Sequence, residues 1–147
     1  MSNSRIPSPS FSFRHHYPVQ LRILDIDAMG HVNNAIYFQL MDLAKMQYFT
    51  ALGGVFDGKE ESLVIVNVNC NFYSPAYFTE NIEVLTGVES IGDKSLRLEQ
   101  RVVNADTGDV KCVCHTVMAA FDPVAVRAIP VSDMWRSRIG EFEGRDM

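Results

Sequence analysis

No apolar run in this chain approaches the ~18 residues that a membrane-spanning helix requires, so a helical anchor is not expected. Basic excess is missing too. The 13 Lys and Arg stand against 18 Asp and Glu, a formal charge of −5, and no basic block or basic helix face interrupts the pattern. Nucleic acid is therefore not an expected partner. Cysteine is scarce and odd in number: Cys70, Cys112 and Cys114 lie among apolar residues, which argues against a disulfide framework. "CVCH" (112 to 115) invites a metal reading. On a strand, however, Cys112 and Cys114 face one way and His115 the other, so the three donors would not converge on one ion. The opening "MSNSRIPSPSFSFRH" is rich in Ser and Pro and lacks the apolar core of an export signal. Residues 1–15 read as a flexible lead-in, and the expected location is the cytoplasm.

What is present suits one domain. The 147 residues are 47% hydrophobic and 21% charged, and a domain of this size buries roughly 70% of its unfolded surface. "YPVQLRIL" (17 to 24) alternates, with Val19, Leu21 and Ile23 on one face of an expected strand. From Asn34 the period changes. Tyr37, Leu40, Met41, Ala44 and Tyr48 recur at spacings of three and four, the mark of a helix running to about Leu52, where Gly53-Gly54 stops it. A second apolar set, Ile36, Leu43, Met46 and Phe49, leaves a polar edge of little more than Gln39, Asp42 and Lys45. Such a helix is expected to be wrapped by the rest of the fold.

Four strands follow, at 62–73, 81–91, 95–104 and 110–121, joined mainly by tight turns such as Gly92-Asp93 and "DTGD" (106 to 109). A short helix is expected over Ser132 to Arg138, before a polar C-terminal tail at 141–147. The order implies an α+β domain over 16–140, a five-stranded antiparallel sheet curled around one long central helix. Open sheet edges favour pairing with a second copy, so a homodimer or homotetramer is expected.

The segment before the long helix, "DIDAMGHVNNAIYF" (25 to 38), concentrates polar and conformationally special residues. The first N–H groups of a helix have no partner within it and favour negative charge. A carbonyl oxygen held there is polarised, and an oxyanion formed from it is stabilised. Gly30 allows a sharp turn and close approach of a ligand. Asn33 or Asn34 suits the cap, and Asp25 or Asp27 would supply a nucleophile or activate water. The same residue types also serve as plain caps and loop staples, and spacing alone does not decide between the two uses.

The stretch resembles the signature of the hot-dog-fold acyl-CoA thioesterases, in particular the 4-hydroxybenzoyl-CoA thioesterase family, with its pattern D-x-D-x-x-G-H-V-N-N-x-x-Y-F. "IVNVNCNFYSPAYFTENIEV" (65 to 84), "GVESIGDKSLRLEQRV" (87 to 102), "HTVMAAFDP" and "RAIPV" resemble the later strands of that family in order. The resemblance implies a hot-dog fold and hydrolysis of an acyl-CoA thioester, without metal or redox cofactor. It assigns the catalytic carboxylate to Asp27 and the carbonyl-holding amides to His31 through Asn34, with Asn34 first choice. Gly30 and His31 join the catalytic group, and Val32, Asn33 and Tyr37 the substrate-binding one. Asp25 is read as a loop staple and Asp42 as a salt-bridge partner of Lys45.

Asn67, Asn69 and Asn71 form a stripe on one strand face, read either as a solvated or subunit-contacting surface or, through Asn69, as a pocket wall. Lys94, Arg97 and Lys111 are the basic residues near turns available for the phosphates of coenzyme A, with Lys94 carried forward. A hot-dog module that binds an acyl-CoA or acyl carrier without turnover is the competing class. A hot-dog dehydratase or hydratase is weaker, because its motifs are not found.

Overall fold

An eighteen-residue helix and six antiparallel strands absorb most of the periodic sequence. The structure, a computed structural model, describes residues 5–147; the first four residues of the expected lead-in lie outside the described residues. The elements in order are β1 (His15–Val19), α1 (Asn34–Ala51), β2 (Ser62–Phe72), β3 (Ile82–Ile91), β4 (Ser95–Asn104), β5 (Val110–Asp122), β6 (Arg127–Ala128) and α2 (Asp133–Glu143). The sheet runs β1-β3-β4-β5-β2, every pairing antiparallel, and β6 folds back on the end of β5. This is the expected α+β architecture of a sheet around a central helix. No helix among the described residues is long and apolar enough to cross a membrane.

Burial follows from this order. β5, apolar on both faces, lies between β4 and β2, while β2 takes the sheet edge and leaves Ile65, Val66, Val68 and Phe72 exposed. One half of the core joins Tyr37, Leu40, Met41 and Ala44 of α1 to Val84, Val102, Cys112 and Cys114. The other joins Tyr48 and Phe49 to Val88, Leu98, Trp135 and Ile139. Cys112 and Cys114 thus point inward, and the hydrogen bond with the Cys70 thiol, reinforced by burial, pushes the Cys114 thiol well above its ordinary pKa.

Four expectations need correction. First, the strand expected over 17–24 ends at Val19, because its partner β3 begins at Ile82 and offers nothing further to pair with. Leu21 is still buried, but Ile23 and Leu24 stand exposed in a single 3-10 turn over Ile23–Asp25. Second, the sheet covers only one side of α1, so Phe38, Leu43 and Met46 remain open on the other.

Third, the segment ahead of β1 is packed where it is described. Phe11 is buried against Gly87, where a Cβ would collide with its ring, and Arg101 donates to the Pro7 carbonyl at 2.6 Å. Fourth, α2 continues through Glu143 into the segment expected as a polar tail. The Glu143 side chain is fully buried, accepting Tyr48 Oη–H at 2.7 Å and the Val88 N–H at 3.0 Å.

Candidate active site

The loop between β1 and α1 is built by its own backbone. Asp27 donates its N–H to the His31 carbonyl at 3.0 Å and accepts the Gly30 N–H at 3.0 Å, closing a tight turn. Gly30 sits at φ +85°, a conformation that L residues rarely adopt. Ile26 and Val32 bridge the base of the turn, the Val32 N–H reaches the Ala76 carbonyl at 2.9 Å, and the Asn33 N–H reaches the Asp25 carbonyl at 2.9 Å.

The two aspartates diverge. Asp25 is buried and bonded by the Arg22 N–H at 2.7 Å and the Arg22 guanidinium at 2.9 Å. Burial alone would raise its pKa, but these bonds outweigh it and hold the carboxyl below its ordinary range. It is a loop staple, as expected. Asp27 is partly exposed, its Oδ1 accepting the Met29 N–H at 2.9 Å. No described residue bonds its other oxygen. His31 Nδ1 stands 4.0 Å from Asp27 Oδ1, within ion-pair reach but beyond a hydrogen bond, and its ring meets Tyr77 edge-on at 6.0 Å.

The helix entrance narrows the choice of carbonyl-holding amide. Asn33 is the cap, its side-chain oxygen accepting the Ala35 N–H at 2.9 Å. Its carbonyl accepts the Ile36 N–H at 2.9 Å. The Val32 and Asn33 amides are spent on Ala76 and Asp25. Among the described residues, the N–H groups of His31 and Asn34 carry no such bond. Asn34 is the first residue of α1, where the helix dipole adds to the donor's pull on a carbonyl oxygen.

Beside this amide lies a cavity of about 280 Å³, lined by His31, Val32, Asn34 and Tyr37 on one side and by residues 72–75 on the other. Tyr37 is buried, which raises its hydroxyl pKa, and its ring packs edge-on against Phe72 at 5.1 Å. A larger depression of about 750 Å³ lies between residues 6–9 and the turn after β4. Its cations are already engaged there: Arg101 by Glu99 at 2.7 Å, and Lys111 near it by Glu80 and Asp109. The smaller cavity is lined by Asn34, whose N–H is free, and by His31, which stands 4.0 Å from the Asp27 carboxylate.

The sequence candidates therefore divide. Asp27, Gly30, His31, Val32, Asn33, Asn34 and Tyr37 gather around one helix entrance. Asn69 is exposed on the face opposite Cys70, accepting the Asn71 amide at 3.3 Å, and does not line the cavity. Lys94 lies in the turn between β3 and β4, among the Val131 side of the fold, and one chain does not bring it to the cavity. Arg97 is exposed near Glu89, and Asp42 accepts from Lys45 at 3.2 Å as expected. Lys111 is buried rather than free for a phosphate. Sequence reasoning missed the contribution of Ala76, Tyr77 and Glu80, for which Pro75 was the only local signal. Among the described residues, no three or more His, Cys, Asp or Glu side chains are grouped to share a metal ion.

A family model described as the Thioesterase-like superfamily matches residues 21–139. The long-chain acyl-CoA thioesterase FadM of Escherichia coli is 22% identical over 133 residues, covering 84% of this chain and 96% of that protein. YsmA of Bacillus subtilis is 26% identical over 89 residues, 60% of this chain, and the chain spans only 59% of that protein. Among solved structures, a thioesterase from Thermus thermophilus complexed with coenzyme A and zinc is similar, with a TM-score of 0.81. It shares 27% identity, covering 92% of this chain and 98% of that one.

Proposed function

Because this chain belongs to the thioesterase-like superfamily, we propose that it hydrolyses an acyl-CoA thioester to the free acid and coenzyme A at the entrance of α1. One observation carries the reading: the unpartnered helix amide of Asn34 belongs to a residue lining the small cavity, and the carboxylate of Asp27, with one oxygen open, stands 4.0 Å from His31, which lines the same cavity. The thioester carbonyl oxygen accepts from Asn34 N–H, which polarises the carbon and stabilises the tetrahedral oxyanion. The free oxygen of Asp27 then acts on that carbon by one of two routes. It attacks directly, expelling the coenzyme A thiolate and leaving an acyl anhydride for water to open, or it takes a proton from the water that attacks.

Gly30 supports this by letting the chain reverse between the carboxylate and the helix. His31, next to Asp27 and braced by Tyr77, orients the carboxylate or the acyl group. Val32 and Tyr37 line the wall on which the acyl group rests, and Asn33 caps the helix beside it. None of these steps calls for a metal or a redox cofactor. The same reading takes the exposed edge of β2, and the open face of α1 with Phe38, Leu43 and Met46, as the surface joined by a second copy of this chain.

The test is thiol release from a panel of aromatic and aliphatic acyl-CoA esters, with wild type beside Asp27→Asn. The amide of the variant still accepts the Met29 N–H, so the turn should persist while hydrolysis falls by roughly 10²–10⁴-fold. Binding of acyl-CoA without release of thiol from any ester would favour the non-catalytic module instead. Full activity in Asp27→Asn would remove Asp27 from its assigned role.

A further inference from the structure

A β-bulge determines where Lys111 points. In the β4–β5 ladder Val102 faces Cys112 and Val103 faces Val110, so Lys111 is the extra residue. Bulges re-aim a side chain out of the strand's alternation. Here the ammonium is turned into a buried site, 2.8 Å from Glu80 Oε2 and 2.9 Å from Asp109 Oδ2, with the side chain 5% exposed. Both carboxylates lead to the segment 73–81, whose first residues, 73–75, line the cavity. Glu80 accepts the Tyr77 N–H on its other oxygen, Oε1, at 2.8 Å, and the Asn104 amide on the same Oε2 at 2.7 Å. Asp109 accepts the Ser74 hydroxyl at 3.2 Å, and the Lys111 carbonyl takes the Tyr73 N–H at 2.8 Å. The segment so held supplies the Ala76 carbonyl to Val32 N–H and the Tyr77 ring to His31.

We propose that Lys111 is a positioning residue: its buried pairing with Glu80 and Asp109 fixes the 73–81 segment, and through Ala76 and Tyr77 that segment holds the Asp27–Asn34 loop in its reactive geometry. The catalytic half of this statement rests on the hydrolase reading above. The structural half does not. Two contacts, one to the loop backbone at Val32 and one to the His31 ring, join this segment to the loop, and both leave from residues between Ser74 and Glu80.

The experiment compares wild type, Lys111→Met and Glu80→Gln by amide hydrogen exchange and by acyl-CoA kinetics. The Val32 amide should lose protection by about tenfold or more, while the Leu98 amide in the middle of β4 keeps its own, a local opening rather than global unfolding. With the best ester found for wild type, kcat should fall about 10- to 100-fold and KM should move far less, as expected when the substrate still binds but the reacting groups are misplaced. If Lys111→Met does not fold, Glu80→Gln breaks the same pairing while leaving a side chain able to accept from Tyr77. Unchanged Val32 protection, or lost protection with unchanged kcat, would overturn the proposal. A wild type that hydrolyses no ester would sink the hydrolase reading, and the exchange measurement would then decide the clamp by itself.

Discussion

Replacing Glu143 with Ala should destabilise this protein far more than a residue near the C-terminus ordinarily would. The side chain is fully buried and serves two donors on one oxygen: Tyr48 Oη–H at 2.7 Å and Val88 N–H at 3.0 Å. Its other oxygen lies 3.5 Å from the Arg145 guanidinium, which itself donates to the Val88 carbonyl. Glu143→Ala leaves the tyrosine hydroxyl and a strand N–H without their acceptor inside the core. A buried donor left unsatisfied costs about 1–3 kcal/mol, so two cost about 2–6 kcal/mol. For a domain of this size each kcal/mol lowers Tm by about 2–4 °C, which makes a fall of about 4–24 °C.

Urea unfolding at fixed protein concentration, followed by tryptophan fluorescence, measures this directly. The chain has a single tryptophan, and Trp135 sits buried in α2 against Phe49 at 5.6 Å, so the signal reports the docking of the helix that carries Glu143. A double-mutant cycle sharpens the result. Tyr48→Phe removes one of the two stranded donors, so the double variant should cost less than the sum of the singles by about 0.5–3 kcal/mol. A Glu143→Ala variant within ~0.5 kcal/mol of wild type, the scatter of ordinary surface changes, would refute the reasoning. So would strict additivity in the cycle.

Three further outcomes follow from the same contacts. Gly30→Ala places a side chain at φ +85° and should cost about 1–2 kcal/mol in denaturant unfolding, with thioester hydrolysis impaired beyond what that loss explains; unaltered kinetics would separate the turn from the chemistry. Burial first, and Glu143 second, hold the Tyr48 hydroxyl well above its ordinary pKa. Stability from neutral Tyr48 is therefore complete below the unfolded value of about 10 and drains away as pH rises beyond it; the urea midpoint should fall less steeply between pH 9 and 11, roughly, in Tyr48→Phe than in wild type. At the acid end, burial pushes Glu80 up but Lys111 and Asn104 outweigh it, and the Lys111 bond holds Asp109 down, so both carboxyls lie below their ordinary range. Their contribution is present above about pH 4 and lost as pH falls through the lowered values. The stability gap between wild type and Lys111→Met should accordingly be widest near neutrality and close in acid, and a gap that stays constant would count against the pairing.

What could be read from the chain, and what could not, depended on the range of the interaction. The helix over 34–51 and the strands after residue 62 rest on periodicity within a few residues, and the structure bears those elements out. The end of β1 was illegible because it is set by where β3 begins, more than sixty positions away. Glu143 looked like part of a solvated tail because only Tyr48 and Val88, both far along the chain, provide it with donors. The Ser- and Pro-rich opening hid Phe11 in the same way, since the seat for its ring is Gly87. Lys111 was read as a basic residue near a turn, available for a phosphate, and a one-residue bulge, invisible to alternation counting, turned it inward.

The candidate site shows the same division within fourteen residues. Asp25 and Asp27 are identical side chains two positions apart, and nothing in their order says which is structural. What separates them is the supply of donors. The Arg22 backbone and guanidinium engage both oxygens of Asp25, which leaves that group no unbonded oxygen. Asp27 has the Met29 N–H on one oxygen only. Its second oxygen stays open because Gly30, at positive φ, carries the chain back before another amide can reach it. The turn that frees the carboxylate also delivers the chain to the Asn33 cap, and the cap spends its side chain on Ala35, not on Asn34. One backbone reversal thus leaves an acceptor on Asp27 and a donor on Asn34 unsatisfied, the donor's residue lining the cavity. The proposed reading uses both: the thioester oxygen accepts from Asn34 N–H, and the open oxygen of Asp27 serves the attack on the carbon that this polarises.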